Sequence, residues 1–255
     1  MKILKNWKNC ERLEKIEGRL KKILTFVIFL NFCSLSNCLY CKTQKPLSII
    51  DVPTAEVVEY SNYDLSFRLY GMGGVLSKMN FGVFKPINIG ISLDVDKLIG
   101  FGNQEIDTRP PAILFKIQIF RGGLKLPAIS IGYDGQGYGT YSSSDTEKYQ
   151  YREKGIYIVL TREYLIPGLE ISFGSNIFDF DKDSAYGFIG TNFSIENRVL
   201  LLAECDNIKK AAQNRANLGM KLFVADNLDV EIAGRNLFKG TQSERIVIIN
   251  YTGKF

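Results

Sequence analysis

The chain contains no histidine among its 255 residues. Hydrolase sites built on Ser-His or Asp-His pairs therefore cannot be assembled, and zinc loses its commonest ligand. The chain has one tryptophan and five cysteines, of which only Cys205 lies beyond residue 41. A disulfide framework is thereby excluded. We expect no enzymatic activity and no bound cofactor or metal.

The chain also lacks an apolar run of the about twenty residues that a membrane-spanning helix needs. The run Ile23–Phe32 follows eight basic residues and precedes small and polar ones, which is the pattern of a cleaved secretory leader. We assign residues 1–38 to this leader. The alternatives are a short cytosolic amphipathic helix or a start site placed too far upstream. Leu35–Cys38 resembles a relaxed lipobox, so Cys38 is a candidate lipidation site, and cleavage after Ser36 is the alternative.

The positive net charge of the chain belongs to the leader. Of 32 basic and 27 acidic residues, eight and three lie in the first 38, which leaves 24 of each sign in the remainder. A nearly neutral body offers no basic surface to nucleic acid, and no nucleic-acid-binding motif is present. We therefore expect no nucleic-acid partner.

Beyond the leader, apolar and polar residues alternate with the period of two that is typical of β-strands. Ile87–Asp96 shows the pattern most clearly, with apolar residues at odd positions and polar or small residues at even positions. No later stretch has convincing helical periodicity. The predicted strands are 55–70, 75–84, 87–97, 112–120, 126–133, 154–161, 169–178, 185–195, 198–205, 215–224, 228–233 and 244–255.

Two features favour a transmembrane barrel over a soluble β-sandwich. Almost all charged residues of these strands fall on one face, with Glu59 as the exception; on a lipid-facing position a midplane Lys or Arg costs about 2 to 4 kcal/mol. Long and short connections also alternate, as they do in outer-membrane barrels. We therefore predict an all-β fold, an antiparallel transmembrane β-barrel of about twelve strands, in a range of about ten to fourteen. It would occupy residues 55–255, after a short linker at 39–54.

The chain ends in an alternating strand, Arg245–Phe255. This segment resembles the closing strand of bacterial outer-membrane barrels, whose terminal Phe is part of the signal read by the insertion machinery. The resemblance implies that Tyr251 and Phe255 form this signal. It also implies export through the inner membrane of a Gram-negative-type bacterium, with the outer-membrane lipid bilayer and the barrel-insertion machinery as partners.

The polar face of the predicted strands would line the lumen. Its charged members carry both signs at high density, which predicts a lumen closed by ion pairs and water. A narrow passive channel is the alternative. Carboxylate pairs on this face have no further groups that would complete an acid–base or calcium site. The candidate lumen residues are Asp94, Asp96, Lys116, Glu170, Glu204, Arg215, Lys221 and Glu231.

The longest loop, 134–153, combines glycines with tyrosines and a serine run. Tyrosine rings offer flat faces to sugars, so Tyr138, Tyr141, Tyr149 and Tyr151 are candidates for recognition of carbohydrate or protein. The alternative is a solvated loop whose tyrosines lie at the membrane interface.

Pro127–Gly137, followed after a loop by Lys154–Arg162, resembles the paired strands of YjbH-type outer-membrane proteins. Pro53–Glu56, and Leu202–Asp206 leading to Asn217–Lys221, are similar to that group as well. Such proteins are associated with exopolysaccharide or capsule production and are often lipoproteins. The resemblance implies a structural or export-assisting role in surface exopolysaccharide, with polysaccharide or export proteins as partners. The alternatives are a narrow passive channel and a soluble periplasmic β-rich binding protein.

Overall fold

The fold consists almost entirely of strands. A computed structural model describes residues 45–100, 105–123, 126–142, 148–164, 166–178, 180, 185–209, 214–238 and 240–255. The predicted leader at 1–38, the candidate lipidation site Cys38 and positions 39–44 of the predicted linker lie outside the described residues. Within those residues, no helix has the length and apolar character needed to cross a membrane.

Twelve strands of seven residues or more and three shorter ones make up the described chain. The longer strands are β1 (Asn62–Tyr70), β2 (Gly74–Phe84), β3 (Ile87–Asp96), β5 (Ala112–Phe120), β6 (Ala128–Asp134), β9 (Gly155–Glu163), β10 (Leu169–Ile177), β11 (Ala185–Ile195), β12 (Val199–Ile208), β13 (Arg215–Ala225), β14 (Leu228–Arg235) and β15 (Glu244–Lys254). The shorter strands are β4 (Asp107–Thr108), β7 (Tyr138–Ser142) and β8 (Lys148–Tyr151).

The twelve longer strands close into a barrel in which every neighbouring pair is antiparallel. β1 pairs with β2 on one side and with β15 on the other, in a register that runs from Asn62↔Lys254 to Leu69↔Val247. Closure removes the unpaired edges that an open sheet would expose. The predicted fold class and the count of twelve strands are confirmed.

The barrel is apolar outside and polar inside, the inverse of a soluble protein. On β3, Ile91 is 47% exposed whereas the adjacent Ser92 is 1% exposed. This arrangement suits a hydrocarbon exterior, so the barrel is of the transmembrane, outer-membrane type and the soluble periplasmic alternative is ruled out. Exposed apolar side chains on the other strands include Phe67, Met79, Ile113, Ile131, Ile158, Phe173, Ile189, Leu201, Leu218, Ile232 and Ile249.

The longest connections lie at one end of the barrel, which also has the three-residue connection 71–73. The end with short connections, which we call the turn end, has them at 85–86, 121–127, 164–168, 196–198 and 226–227. The other end, the loop end, has connections at 71–73, 97–111, 135–154, 178–184, 209–214 and 236–243. At the turn end β11 and β12 are joined by a type I′ turn, since Glu196 and Asn197 have φ of 49° and 55° and the Arg198 amide donates to the Ile195 carbonyl at 3.0 Å.

The first strand begins later than predicted. β1 starts at Asn62, not at residue 55, and Glu59 lies in the approach to it. Glu59, the one charged residue predicted on the lipid-facing side, therefore does not lie on a barrel strand. The reason for the late start is that the preceding residues run inside the barrel.

The last residue is pinned at the seam between β1 and β15. The Phe255 amide donates to the Ser61 carbonyl at 3.0 Å, and the Ser61 hydroxyl donates to the Phe255 carbonyl at 2.9 Å. The Phe255 ring stacks on Tyr63 at 6.3 Å between centroids, and Tyr251 lies 6.2 Å from the same ring. Both residues of the predicted insertion signal thus lie on the outer surface of the seam.

Candidate functional site

The lumen contains an N-terminal segment that the sequence pattern did not place there. Residues 47–54 form a tight hairpin in which Ser48 bridges Pro53 and the Ile49 amide donates to the Val52 carbonyl at 2.8 Å. We call these residues the luminal hairpin. Residues 49–52, at its tip, are at most 4% exposed. The prediction of a linker at 39–54 is therefore wrong for residues 47–54.

The luminal hairpin enters from the turn end of the barrel. The Lys45 ammonium lies 2.7 Å from the carboxylate of Glu170, at the turn-end start of β10, and β1 starts at the same end. The tip reaches towards the loop end, because Asp51 contacts Arg68 and Arg235, which lie close to the loop-end termini of β1 and β14. The segment from Lys45 to Asp51 therefore runs inside the barrel from the turn end towards the loop end.

One carboxylate of the barrel wall binds the tip of the hairpin. Glu204 on β12 accepts hydrogen bonds from the amides of Ile50, Asp51 and Val52, each at 2.9 Å to its nearer oxygen. Asn217 on β13 donates to the same carboxylate at 2.6 Å. Buried amides need acceptors, and three successive amides converge here on one anion, as in an anion-binding nest.

Lys116 on β5 binds carbonyl groups of the luminal hairpin and of Glu56, which follows the hairpin. Its ammonium donates to the carbonyls of Leu47, Thr54 and Glu56 at 3.0, 3.1 and 3.0 Å. One wall cation thus joins both strands of the hairpin. The Ala55 carbonyl accepts hydrogen bonds from the side chains of Gln118 and Ser130, and the Ala55 amide donates to the Thr161 hydroxyl.

Apolar side chains of the hairpin fill apolar patches on the inner wall. Ile49 and Ile50 pack into one cluster, and Val52 and Ala55 pack into another. Without the hairpin these patches would face a polar lumen, at a cost of about 25 cal/mol per Å² exposed. The wall residues of the first cluster are Leu200, Leu202, Ala233, Ile246 and Ile248, and those of the second are Ala128, Tyr157, Val159 and Phe188.

Two glycines of the inner wall provide room for the isoleucines. A Cβ at Gly190 would lie 2.4 Å from Cδ1 of Ile49, and a Cβ at Gly219 would lie 3.2 Å from Cδ1 of Ile50. At the first distance the end of the Ile49 side chain would have to shift, and at Gly219 the Cβ of Ala233 is nearer still, at 2.9 Å. The wall is thus shaped to accept the hairpin.

Asp51 is held by arginines from three barrel strands. Arg68 donates to its Oδ1 at 2.7 Å, and Arg235 donates to its Oδ2 through Nε and Nη2 at 2.9 and 2.7 Å. Nη1 of Arg215 lies 3.8 Å from Oδ2. Burial alone would raise the pKa of Asp51, but the guanidinium groups of Arg235, Arg68 and Arg215 hold that pKa well below its usual value. The carboxylate is therefore ionised.

A second hairpin, β7–β8, extends from the loop-end connection 135–154 into the lumen. We call it the tyrosine hairpin. Tyr138 is 6% exposed, its hydroxyl accepts a hydrogen bond from Lys78 at 3.0 Å, and its ring lies under the guanidinium groups of Arg68 and Arg235 at 4.7 and 4.8 Å. Such cation–π contacts are strongest where water is excluded. The two hairpins therefore approach each other through the arginines that hold Asp51.

The other tyrosines of this hairpin have partners in the loop-end connections and in the hairpin itself. The Tyr151 hydroxyl accepts from Asn236 at 2.9 Å, and the Tyr149 hydroxyl accepts from Gln136 at 3.2 Å. Tyr141 packs edge-on against Tyr149 at 5.0 Å.

The structure places two of the four candidate tyrosines against cations of the barrel. Tyr138 lies inside the barrel. The guanidinium of Arg215 lies over the Tyr151 ring at 4.8 Å. The role of Tyr138, Tyr141, Tyr149 and Tyr151 in recognition of carbohydrate or protein stays a prediction.

All eight candidate lumen residues lie on the inner face. Lys116, Glu204 and Arg215 contact the luminal hairpin, and Glu170 pairs with Lys45, which precedes it. Near the loop end, the Tyr70 hydroxyl oxygen lies 2.6 Å from a carboxylate oxygen of Asp94 and 2.6 Å from one of Asp96. Asp96 also forms an ion pair with Arg109. Lys221 pairs with Glu231 and with Asp229, at 3.4 Å each.

A cavity of about 120 Å³ remains beside the luminal hairpin. It is large enough for several water molecules. Charged side chains of both signs line it, among them Asp64, Lys78, Asp134, Lys221, Asp229 and Glu231. The lumen is thus filled by two hairpins, ion pairs and a small polar space.

No protein-family model matches the sequence, and no curated protein sequence matches it. Among solved structures, the KdgM porin is similar with a TM-score of 0.49 and 9% identity, over 74% of this chain and 98% of the porin chain. The same values are found for that porin in complex with disordered oligogalacturonate. The outer membrane channel DcaP of Acinetobacter baumannii is similar with a TM-score of 0.30 and 8% identity, over 76% of this chain and 95% of the channel. At these levels of similarity the matches assign no function.

Proposed function

We propose that the chain is a closed outer-membrane barrel with a structural or export-assisting role. The observation that supports this most strongly is the filled lumen. The luminal hairpin enters from the turn end and the tyrosine hairpin from the loop end, and both are bonded to the wall. An ion that crosses through the space occupied by the luminal hairpin would have to displace backbone hydrogen bonds to Glu204 or Lys116, whose loss is costly in a buried site.

We connect this role with surface exopolysaccharide. The support is the resemblance of Pro127–Gly137 and Lys154–Arg162 to the paired strands of YjbH-type proteins. Pro53–Glu56, which carries part of that resemblance, lies at the second strand of the luminal hairpin and its exit. A cleaved leader, lipidation at Cys38 and an insertion signal at Phe255 belong to the same proposal, because a protein of this kind must be exported before it enters the outer membrane.

A gated channel is the second candidate. The observation in its favour is that the described contacts of the luminal hairpin are all non-covalent. If the hairpin left the barrel, the lumen would be lined by the charged, polar and apolar side chains of the inner wall. A barrel of twelve strands is wide enough for a narrow aqueous path.

Planar lipid bilayers test the closed state. Wild-type protein that shows heat-modifiable mobility, and is therefore folded, is expected to give no steady ion current, because the two hairpins obstruct the lumen. The lipid-only bilayer is the baseline. A constant current from the folded wild-type protein would contradict the closed barrel.

The link to polysaccharide has its own test. Deletion of the gene is expected to lower the amount of exopolysaccharide recovered from the cell surface, and the wild-type gene supplied in trans is expected to restore it. An unchanged amount would reject the link and leave the closed barrel intact.

A further inference from the structure

Arg68, Arg215 and Arg235 converge on one carboxylate from three different strands of the barrel. Arg235 reaches Asp51 through two nitrogens of one guanidinium edge, and Arg68 reaches the other carboxylate oxygen. Arg235 thus binds one carboxylate oxygen with two donors and Arg68 binds the other oxygen, so both oxygens accept charge-assisted hydrogen bonds from guanidinium groups. We call these three side chains the arginine cluster.

The wall and the tyrosine hairpin position the arginine cluster independently of Asp51. Nη1 of Arg235 donates to Glu244 at 2.8 Å, and Arg215 pairs with Asp206, which Lys154 also contacts at 2.6 Å. These partners keep the guanidinium groups of Arg235 and Arg215 oriented when the carboxylate leaves, so these two form a preorganised site. Arg68 also donates to the Ile50 carbonyl of the luminal hairpin at 2.8 Å, and outside that hairpin its guanidinium lies over the Tyr138 ring. The stacked faces of Tyr138 and Tyr151 restrict the cluster further.

Asp51 does not use all the donors of the arginine cluster. Arg215 is 2% exposed, yet its Nε and Nη1 have no hydrogen-bond partner. Nη1 is the nitrogen that lies 3.8 Å from Asp51. A buried donor without an acceptor costs about 1 to 3 kcal/mol, so a ligand with more oxygen atoms than one aspartate would satisfy this site better.

We propose that the arginine cluster is a binding site for the carboxylate of an acidic organic solute, and that Asp51 of the luminal hairpin occupies this site in the closed barrel. The solute and the hairpin tip compete for the same guanidinium groups. Binding of the solute therefore displaces Asp51 and weakens the closed state. This inference rests on the proposed closed barrel, since it concerns what releases the hairpin.

The Asp51→Asn variant removes the negative charge at this position and keeps the size of the side chain. Isothermal titration of the folded mature protein with glucuronate is expected to show binding at least about tenfold tighter for Asp51→Asn than for the wild type. Glucose, which has the same ring without the carboxylate, is expected to bind neither protein. In the Asp51→Asn background, Arg235→Gln is expected to abolish glucuronate binding, whereas Lys221→Gln, which changes a lumen cation outside the cluster, is expected to preserve it.

Electrical recording of the wild-type protein gives a second measurement that does not depend on the variant. Glucuronate is expected to raise the frequency of openings in planar bilayers, and glucose is expected to leave it unchanged. The inference is overturned if folded Asp51→Asn binds glucuronate no better than the wild type does. If the Asp51→Asn variant does not assemble, the wild-type protein decides: the inference is overturned if glucuronate produces no channel openings in planar bilayers. Steady wild-type current without any solute would instead reject the closed barrel.

Discussion

Replacement of Glu204 by alanine is expected to release the luminal hairpin and open the barrel. The carboxylate of Glu204 accepts the amides of Ile50, Asp51 and Val52 at 2.9 Å. Each buried amide left without an acceptor costs about 1 to 3 kcal/mol, and the hairpin avoids this cost when water solvates it outside the lumen. In planar bilayers the variant is therefore expected to conduct ions under conditions in which the wild type is silent.

Glu231→Ala is the matched control for this experiment. Glu231 is buried on the lumen side of β14 and pairs with Lys221 at 3.4 Å, and no hydrogen bond joins it to the hairpin within the described chain. This variant loses a lumen carboxylate of the same kind and is expected to stay closed. The role assigned to Glu204 would be contradicted by a folded Glu204→Ala barrel that stays silent, or by equal currents from both variants.

A lysine at Ile158 is expected to destabilise the barrel strongly. Ile158 lies in the middle of β9, faces outward and is 43% exposed. If that surface meets hydrocarbon, Lys near the midplane costs about 2 to 4 kcal/mol. On a water-exposed surface the same change would cost within about 0.5 kcal/mol. The free energy of unfolding in lipid vesicles, measured by denaturant titration, distinguishes the two.

Tyr164→Lys supplies the depth control. Tyr164 follows β9 at the turn end and is 56% exposed, so it lies near the membrane interface, where Lys costs about 0 to 1 kcal/mol. The expected result is a much larger loss for Ile158→Lys than for Tyr164→Lys. Equal losses at the two positions would mean that no depth-dependent apolar layer surrounds the strands.

The barrel could be predicted because apolar and polar side chains alternate regularly along its strands. A strand between lipid and lumen must alternate, and Ile87–Asp96 does so at every position, with Ile91 outside and Ser92 inside. Such a pattern lies within a single strand, so it can be recognised in one sequence alone. Closure follows from it, because a membrane strand must pair on both edges.

The luminal hairpin was not predictable in the same way, because it has no period. Residues 47–54 are apolar and turn-forming, which fits a linker as well as a buried hairpin. The available signal lies in the wall: Leu200 and Leu202 are apolar on the lumen parity of β12, and Ile246 and Ile248 are so on β15. Inward apolar residues in an otherwise polar lumen require an apolar partner, and the two isoleucines at the hairpin tip provide it.

The tyrosine hairpin shows a second limit of local patterns. Tyrosines, glycines and serines suit an exposed loop, and nothing in 134–153 specifies the direction in which the loop folds. The direction follows from distant cations, since Arg68 and Arg235 cover Tyr138. Contacts that join residues so far apart in the chain have no signature in either segment alone.

Hydrogen exchange of the folded wild-type protein, followed by mass spectrometry, tests the central claim most directly. The claim is that the luminal hairpin, residues 47–54, is bound inside the barrel, with the amides of Ile50, Asp51 and Val52 bonded to Glu204. The expected result is that peptides covering residues 47–54 exchange as slowly as peptides from the barrel strands. Exchange of residues 47–54 at the rate of an unstructured peptide would contradict the account.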